Sequence, residues 1–135
     1  MSIRRRFCAG AALHRAEWSE ARNREVYGVC ANPRGHGHDY RLIVEVTGPL
    51  DVETGMVVDF AKLARAVDER LIQAVDHKHL NHDVAFLRGV VPTTENLLVR
   101  FWDELAPAIP SGVRLLRLRL EEGDDCACSY EGPPR

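Results

Sequence analysis

An α+β fold, an antiparallel sheet with two helices on one of its faces, follows from three features of the 135-residue sequence. Two segments alternate apolar and polar residues with the period of two that half-buried strands require. Two segments between them repeat apolar residues at helical spacing. Glycine, proline or a capping side chain stands at their ends. With a further strand at each terminus, the order is β-β-α-α-β-β.

A first strand is expected around residues 3 to 14. From 39 to 47, Tyr40, Leu42, Val44 and Val46 share one face, and Arg41, Ile43, Glu45 and Thr47 the other, until Gly48, Pro49 and Asp51 end the strand. Asp59 is a good N-cap for a helix whose apolar stripe is Phe60, Leu63, Ala64, Val67, Leu71 and Val75. That helix stops near Asp76, and the polar segment Asp76 to Asp83 reads as a loop. Pro92, Thr93, Thr94 and Glu95 form a second helix start, because a hydroxyl caps free N–H groups and a carboxylate suits the positive end of the dipole. Its stripe, Leu97, Leu98, Phe101, Trp102 and Leu105, carries the helix to about Ala108. After Pro110 and Gly112, residues 113 to 121 alternate Leu116, Leu118 and Leu120 with Arg117, Arg119 and Glu121, and a last strand spans about 125 to 131. No repeat or linker interrupts the chain, so residues 1–135 are expected to form a single domain.

Composition narrows the function classes. Eighteen basic against twenty acidic side chains give a formal charge of -2, without the global basic excess of a nucleic-acid binder. No apolar run approaches the roughly 18 to 20 residues that span a bilayer, so no membrane partner is expected. Arg4, Arg5 and Arg6 before Phe7 to Leu13 imitate an export signal, but the apolar stretch is short and ends in His14 and Arg15. A cytoplasmic location and a small-molecule partner follow as expectations, with Cys8, Cys30, Cys126 and Cys128 as thiols.

Candidate chemistry gathers around histidine. His36 and His38, at i and i+2 of an extended segment, project to the same side and can converge on one metal. His14 supplies a third imidazole if the first two strands pair, and three histidines with an open fourth position describe a catalytic zinc centre. Cys30, in a loop bearing glycine and proline, is a candidate general base, since a nearby cation favours thiolate. Asp76 beside His77 suits proton transfer, the carboxylate fixing the imidazole tautomer. Glu121 could accept two parallel hydrogen bonds from a guanidine-like ring edge. Cys126 and Cys128 read as structural, and His79 and His82 as surface or loop-fixing residues.

Five motifs fall in one order: Cys-Ala-Asn-Pro-Arg-Gly-His-Gly-His (30 to 38), Gly-Met-Val-Val-Asp-Phe (55 to 60), Asp-His-Lys-His-Leu-Asn (76 to 81), Pro-Thr-Thr-Glu-Asn (92 to 96), and Glu121 before Tyr130. In this order the chain resembles the 6-pyruvoyl-tetrahydropterin synthase family, from about His14 to Gly132. The resemblance implies Zn2+ on His14, His36 and His38, Cys30 as proton-abstracting base, Asp76 and His77 as its partners, Glu121 as pterin anchor, and Thr93, Thr94 and Glu95 in the pterin pocket. It also implies the tunnelling fold, in which protomers complete a barrel as trimers and two trimers stack into a homohexamer. Gly10 stands where the family usually has an aromatic.

The implied substrate is 7,8-dihydroneopterin triphosphate. One branch of the family forms the 6-pyruvoyl product; the other forms 6-carboxytetrahydropterin and acetaldehyde on the route to 7-deazaguanine nucleosides such as queuosine. Five residues separate Cys30 from His36, with Asn32 and Pro33 among them, which resembles the pyruvoyl branch. A non-catalytic pterin-binding module would have lost Cys30, Asp76 or His77, and a zinc hydrolase of the H-E-x-x-H kind would carry a glutamate beside its histidines.

Overall fold

A computed structural model describes residues 1–134. Strand β1 (Ser2–Ala11) leads to helix α1 (Glu20–Tyr27), and strand β2 (His36–Thr47) to helix α2 (Phe60–Val67). A π-helical turn (Asp68–Ile72) joins α2 to a final turn, α3 (Gln73–Val75), after which come strand β3 (Lys78–His79), helix α4 (Thr94–Leu105), and strands β4 (Arg114–Glu122) and β5 (Cys126–Tyr130). The sheet order is β3-β1-β2-β4-β5. All neighbours are antiparallel except the two-residue β3, which runs parallel to β1.

The expected order holds for the four long strands and the two long helices. Strand β1 is shorter than expected and ends at Ala11, so His14 lies beyond it, and α1 and β3 are additions to the expected order. Ser19 caps α1 by accepting from the Arg22 N–H, and Gly28, at φ 57°, ends it. Both anticipated caps form: Asp59 accepts from the N–H groups of Ala61 and Lys62, and Thr93 from that of Asn96.

One face of the sheet carries the core. Ile3 and Phe7 of β1, Leu42, Val44 and Val46 of β2, and Leu118 and Leu120 of β4 are buried with Leu63, Val67 and Leu71 of the α2 region and Leu97, Leu98, Phe101 and Leu105 of α4. Arg5 shares this face at its rim, where its guanidinium makes two hydrogen bonds to Asp68 in the π turn. The expected alternation through Leu116 is broken. A register shift at Glu45/Val46 pairs Val46 with Leu115 and Glu45 with Arg117, so Leu115 is buried and Leu116 is 40% exposed.

Phe101 is fully buried, with its ring edge-on to Phe7 at 6.1 Å and to Phe86 at 6.3 Å. Phe101→Ala is expected to destabilise the fold by about 3 to 5 kcal/mol, the cost of removing a buried ring and leaving its cavity. Urea denaturation reads this as a lower midpoint at unchanged slope.

Candidate functional site

Alternation along β2 sends His36, His38 and Tyr40 to the helix-covered face, at the end of the strand where the core gives way to solvent. Their partners on β1 are Ala11, Ala9 and Phe7. Phe7 stacks on Tyr40 with ring centroids 4.8 Å apart, while the two alanines are small and leave room for imidazoles. The His36 and His38 rings meet edge to face at 4.7 Å. Strand β4 contributes Glu122, paired with Tyr40, and the start of α4 contributes Thr94. The buried Thr94 hydroxyl donates to Glu122 Oε2 at 2.8 Å.

These residues enclose a pocket of about 200 Å³ lined by Cys30, His36, His38, Tyr40, Pro92, Thr93, Thr94, Glu95, Glu122 and Cys126, with Ala11 and Leu13. Cys30 enters from the 3-10 turn Gly28–Ala31 and is half-buried. Burial, with Glu122 and then Cys30 adding unfavourable charge nearby, pushes the Tyr40 phenol far above its usual range, so it stays neutral.

Of the three histidines expected to hold zinc, two are brought together. His36 Nδ1 and His38 Nε2 are buried without a hydrogen-bond partner; the latter is 3.0 Å from Glu122 Oε1 but makes no hydrogen bond to it. Two orphaned imidazole nitrogens at one pocket fit a metal ion, because desolvated lone pairs without a donor are costly. His14 is exposed, and among the described residues no three histidine, cysteine or acidic side chains are grouped closely enough to hold a metal. The backbone around His14 is nevertheless fixed. Ala12 exchanges two hydrogen bonds with the Asn81 amide, Leu13 N–H donates to the Cys30 carbonyl, and Arg15 N–H donates to the buried Asn23 side chain. Asn23 and Asn81 were not singled out by sequence reasoning, and Asn81 was within reach as the last residue of the 76–81 motif.

Glu121 and Glu122 part company. Glu121 was expected at the pocket, but it projects from the opposite side of the sheet, where its carboxylate accepts from Arg41 at 2.9 Å and Arg119 at 3.1 Å. The Arg119 hydrogen bond, together with the charges of Arg41 and Arg119, holds it below the usual carboxylate range. The strand has a period of two, so the residue continuing the Leu118, Leu120 face is Glu122.

Asp76 and His77 adjoin as expected, with Asp76 Oδ2 and His77 Nδ1 3.0 Å apart, but they lie outside the Cys30 pocket. They dock on β1 instead: Cys8 N–H donates to Asp76 Oδ1 at 2.9 Å, and His77 N–H to the Cys8 carbonyl at 2.7 Å. His77 takes φ 55°, a conformation unusual for a side-chain-bearing residue, and its ring is 80% exposed. The Cys8 thiol donates to Asp39 Oδ1 at 2.8 Å, which raises its pKa. The space over Gly10 is taken by His79, whose Cδ2 lies 3.6 Å from where a Cβ at Gly10 would stand.

Residues 1–133 match the family model described as 6-pyruvoyl tetrahydropterin synthase. The 6-pyruvoyl tetrahydrobiopterin synthase of Pongo abelii is 40% identical over 98% of this chain and 90% of its own. A solved structure, that of Caenorhabditis elegans 6-pyruvoyl tetrahydropterin synthase, superposes with a TM-score of 0.91 at 34% identity, covering 98% of this chain and 94% of that one. A putative 6-carboxy-5,6,7,8-tetrahydropterin synthase of Archaeoglobus fulgidus is 37% identical over 67% of this chain and 70% of its own.

The Cys8 N–H hydrogen bond, and after it the His77 imidazole, lower the Asp76 pKa. A carboxylate whose folded pKa is depressed contributes stability above its unfolded pKa and loses it as pH falls through the folded value. Asp76→Ala is therefore expected to be less stable than wild type at neutral pH, with the gap closing as pH drops below the ordinary carboxylate range. Urea midpoints of both proteins across a pH series measure this, and a gap independent of pH would contradict it.

Proposed function

Because the chain belongs to the 6-pyruvoyl tetrahydropterin synthase family, we propose that it is a lyase converting 7,8-dihydroneopterin triphosphate to 6-pyruvoyl-tetrahydropterin with elimination of triphosphate. The observation that carries this reading is the convergence of Cys30, two unpartnered imidazoles and a threonine-held carboxylate on one pocket.

Each group has a role set by its chemistry. Glu122 takes the anchoring role expected of Glu121: with Thr94 fixing one oxygen, the carboxylate can accept from the 2-amino and ring N–H edge of a pterin. Cys30 as thiolate removes the proton from the alcohol carbon next to the ring, whose electron pair passes into the ring and reduces it as that carbon becomes a ketone. Removal of the proton from the next carbon expels triphosphate from the terminal carbon, and the enol left becomes the second ketone. His36 and His38 would hold zinc, with His14 as third ligand on its pinned loop. When bound, the ion would polarise the side-chain oxygens and acidify the adjacent C–H bonds.

The pocket's 200 Å³ is below the roughly 300 to 1,000 Å³ of typical small-molecule sites. A homohexamer in which a neighbouring protomer supplies further walls accounts for this. It also gives Asp76 and His77, which do not line the Cys30 pocket in their own chain, a pocket to serve as proton relay. No helix among the described residues is long and apolar enough to cross a membrane.

The archaeal relative named as a putative carboxy-forming enzyme supports a second reading, with the same substrate and acetaldehyde as co-product. Five residues between Cys30 and His36 favour the first.

Two measurements test the assignment. Metal analysis is expected to find one zinc per chain in wild type and in Cys30→Ala but none in His36→Ala; full occupancy in the last variant would remove the histidines from the ligand set. Anaerobic incubation with 7,8-dihydroneopterin triphosphate is expected to release triphosphate and yield a tetrahydropterin retaining all three side-chain carbons by mass spectrometry, about a hundredfold more slowly in Cys30→Ala. Stoichiometric acetaldehyde would establish the carboxy branch, and turnover in neither sense despite bound zinc would indicate a pterin-binding module.

A further inference from the structure

Strand β5 pairs with β4 in a register that sets Cys126 opposite Glu122, Cys128 opposite Leu120 and Tyr130 opposite Leu118. Opposed residues of an antiparallel pair share a face, so these three side chains follow the helix-covered side of the sheet. Along the row the surroundings change. Tyr130 meets Trp102 of α4 edge-on at 5.5 Å, and Cys128 is half-buried against the core. Burial, and then the nearby Glu95 carboxylate, raise the Cys128 pKa, which keeps that thiol protonated and unreactive. Cys126, at the end of the row, leaves the core: it is exposed and lines the Cys30 pocket.

The pocket therefore holds two thiols, brought by different elements. Cys30 comes from the turn Gly28–Ala31, and Cys126 from β5 beside Glu122. Cys8 is exposed as well, but its thiol donates to Asp39 and it does not line this pocket. Directly opposed residues have Cβ atoms about 4.5 to 5.5 Å apart, so the Cys126 sulfur stands within reach of whatever the Glu122 carboxylate holds.

A 2-amino-4-oxo ring leaves a place for that sulfur. Its edge presents a ring N–H and an amino group with two N–H bonds, and a carboxylate accepting in two parallel bonds uses the ring N–H and only one of the amino pair. The second amino N–H points past the carboxylate and needs an acceptor of its own, because a buried donor without one is destabilising. The Thr94 hydroxyl is already engaged as donor to Glu122 Oε2, whereas Cys126 is the cross-strand neighbour of Glu122. A thiol sulfur is a weak, polarisable acceptor that suits such an N–H.

We propose that Cys126 is a specificity-determining residue of the pocket, its sulfur meeting the amino N–H that Glu122 leaves free and selecting an unsubstituted 2-amino group over an N-methylated one. The inference rests on the pterin-binding reading of the pocket. It assigns Cys126 to ring binding, and the proton transfers at Cys30 do not pass through it.

Fluorescence titration with pterin and with its 2-methylamino analogue tests this on the full-length protein. Wild type is expected to favour pterin. Cys126→Ala is expected to bind pterin about three- to tenfold more weakly, the scale of one neutral hydrogen bond, and to lose most of the preference, while Cys126→Ser, which restores an acceptor, recovers both. In turnover the alanine variant is expected to raise KM at unchanged kcat, the signature of an interaction made equally in the ground and transition states. Iodoacetamide labelling followed by peptide mass spectrometry gives a readout independent of substitution: saturating pterin is expected to slow alkylation of Cys126 and leave that of Cys8 unchanged. Wild-type affinity and preference in Cys126→Ala, no protection of Cys126 by bound pterin, or a fall in kcat at unchanged KM would each overturn the proposal and leave the pterin reading standing. A wild-type protein that binds neither ligand would overturn that reading, and this inference with it.

Discussion

The pairing of β1 with β2 is the constraint on which the rest of the molecule depends. Ten residues pair in unbroken antiparallel register, from Ser2 opposite Glu45 to Ala11 opposite His36. Side chains alternate with a period of two, so this register assigns every residue of both strands to a face, and a slip by one would carry His36, His38 and Tyr40 to the solvent side. The Phe7–Tyr40 stack holds the register at the buried end of the histidine row. Beyond it, Ala9 and Ala11 stand opposite His38 and His36 and leave the imidazoles the space that larger residues would fill.

The two faces then diverge in chemistry. On the helix-covered side the aliphatic core runs along the sheet until it reaches Tyr40, where burial keeps the phenol neutral and the polar pocket begins. The other side is arginine and carboxylate, ordered by exposed pairs such as Arg117–Glu45 that each contribute little to stability. Adjacent residues in one strand therefore serve different ends: Glu122 is held by Thr94 in the pocket, and Glu121 by two arginines outside it. Loops are attached to this frame by side-chain amides, Asn81 on Ala12 and Asn23 on Arg15, which hold the backbone on either side of His14.

Sequence reasoning reached the elements whose signal is local. The caps Asp59 and Thr93 and most of the two stripes formed as read, because helical periodicity and capping depend on residues within a turn of one another; the exceptions are Phe60, which is 55% exposed, and the π turn that interrupts the first helix after Val67. Helix α1 escaped notice because it has no apolar stripe; its single buried residue is Asn23. Strand β3 has only two residues, too few for any pattern, and exists because Lys78 and His79 lie beside β1. The bulge at Leu116 was invisible for a related reason, since with leucine at both 115 and 116 either can continue the Leu118, Leu120 face, and the choice is made by pairing with β2.

By itself the sequence determined the types of the four longer strands and of the helices that follow Asp59 and Thr93, most of their aliphatic faces, and the chemical inventory of the site: two histidines two apart on a strand, a cysteine in a tight turn before them, and hydroxyls at a helix start. Each of these depends on neighbours close in the chain. Only the tertiary structure decided that Asp76 and His77 dock on Cys8, outside the Cys30 pocket, and that Arg6 is set against Arg41. Those outcomes rest on register between segments 30 to 80 residues apart, where a shift of one residue reverses the face of every side chain, and no local pattern carries that information.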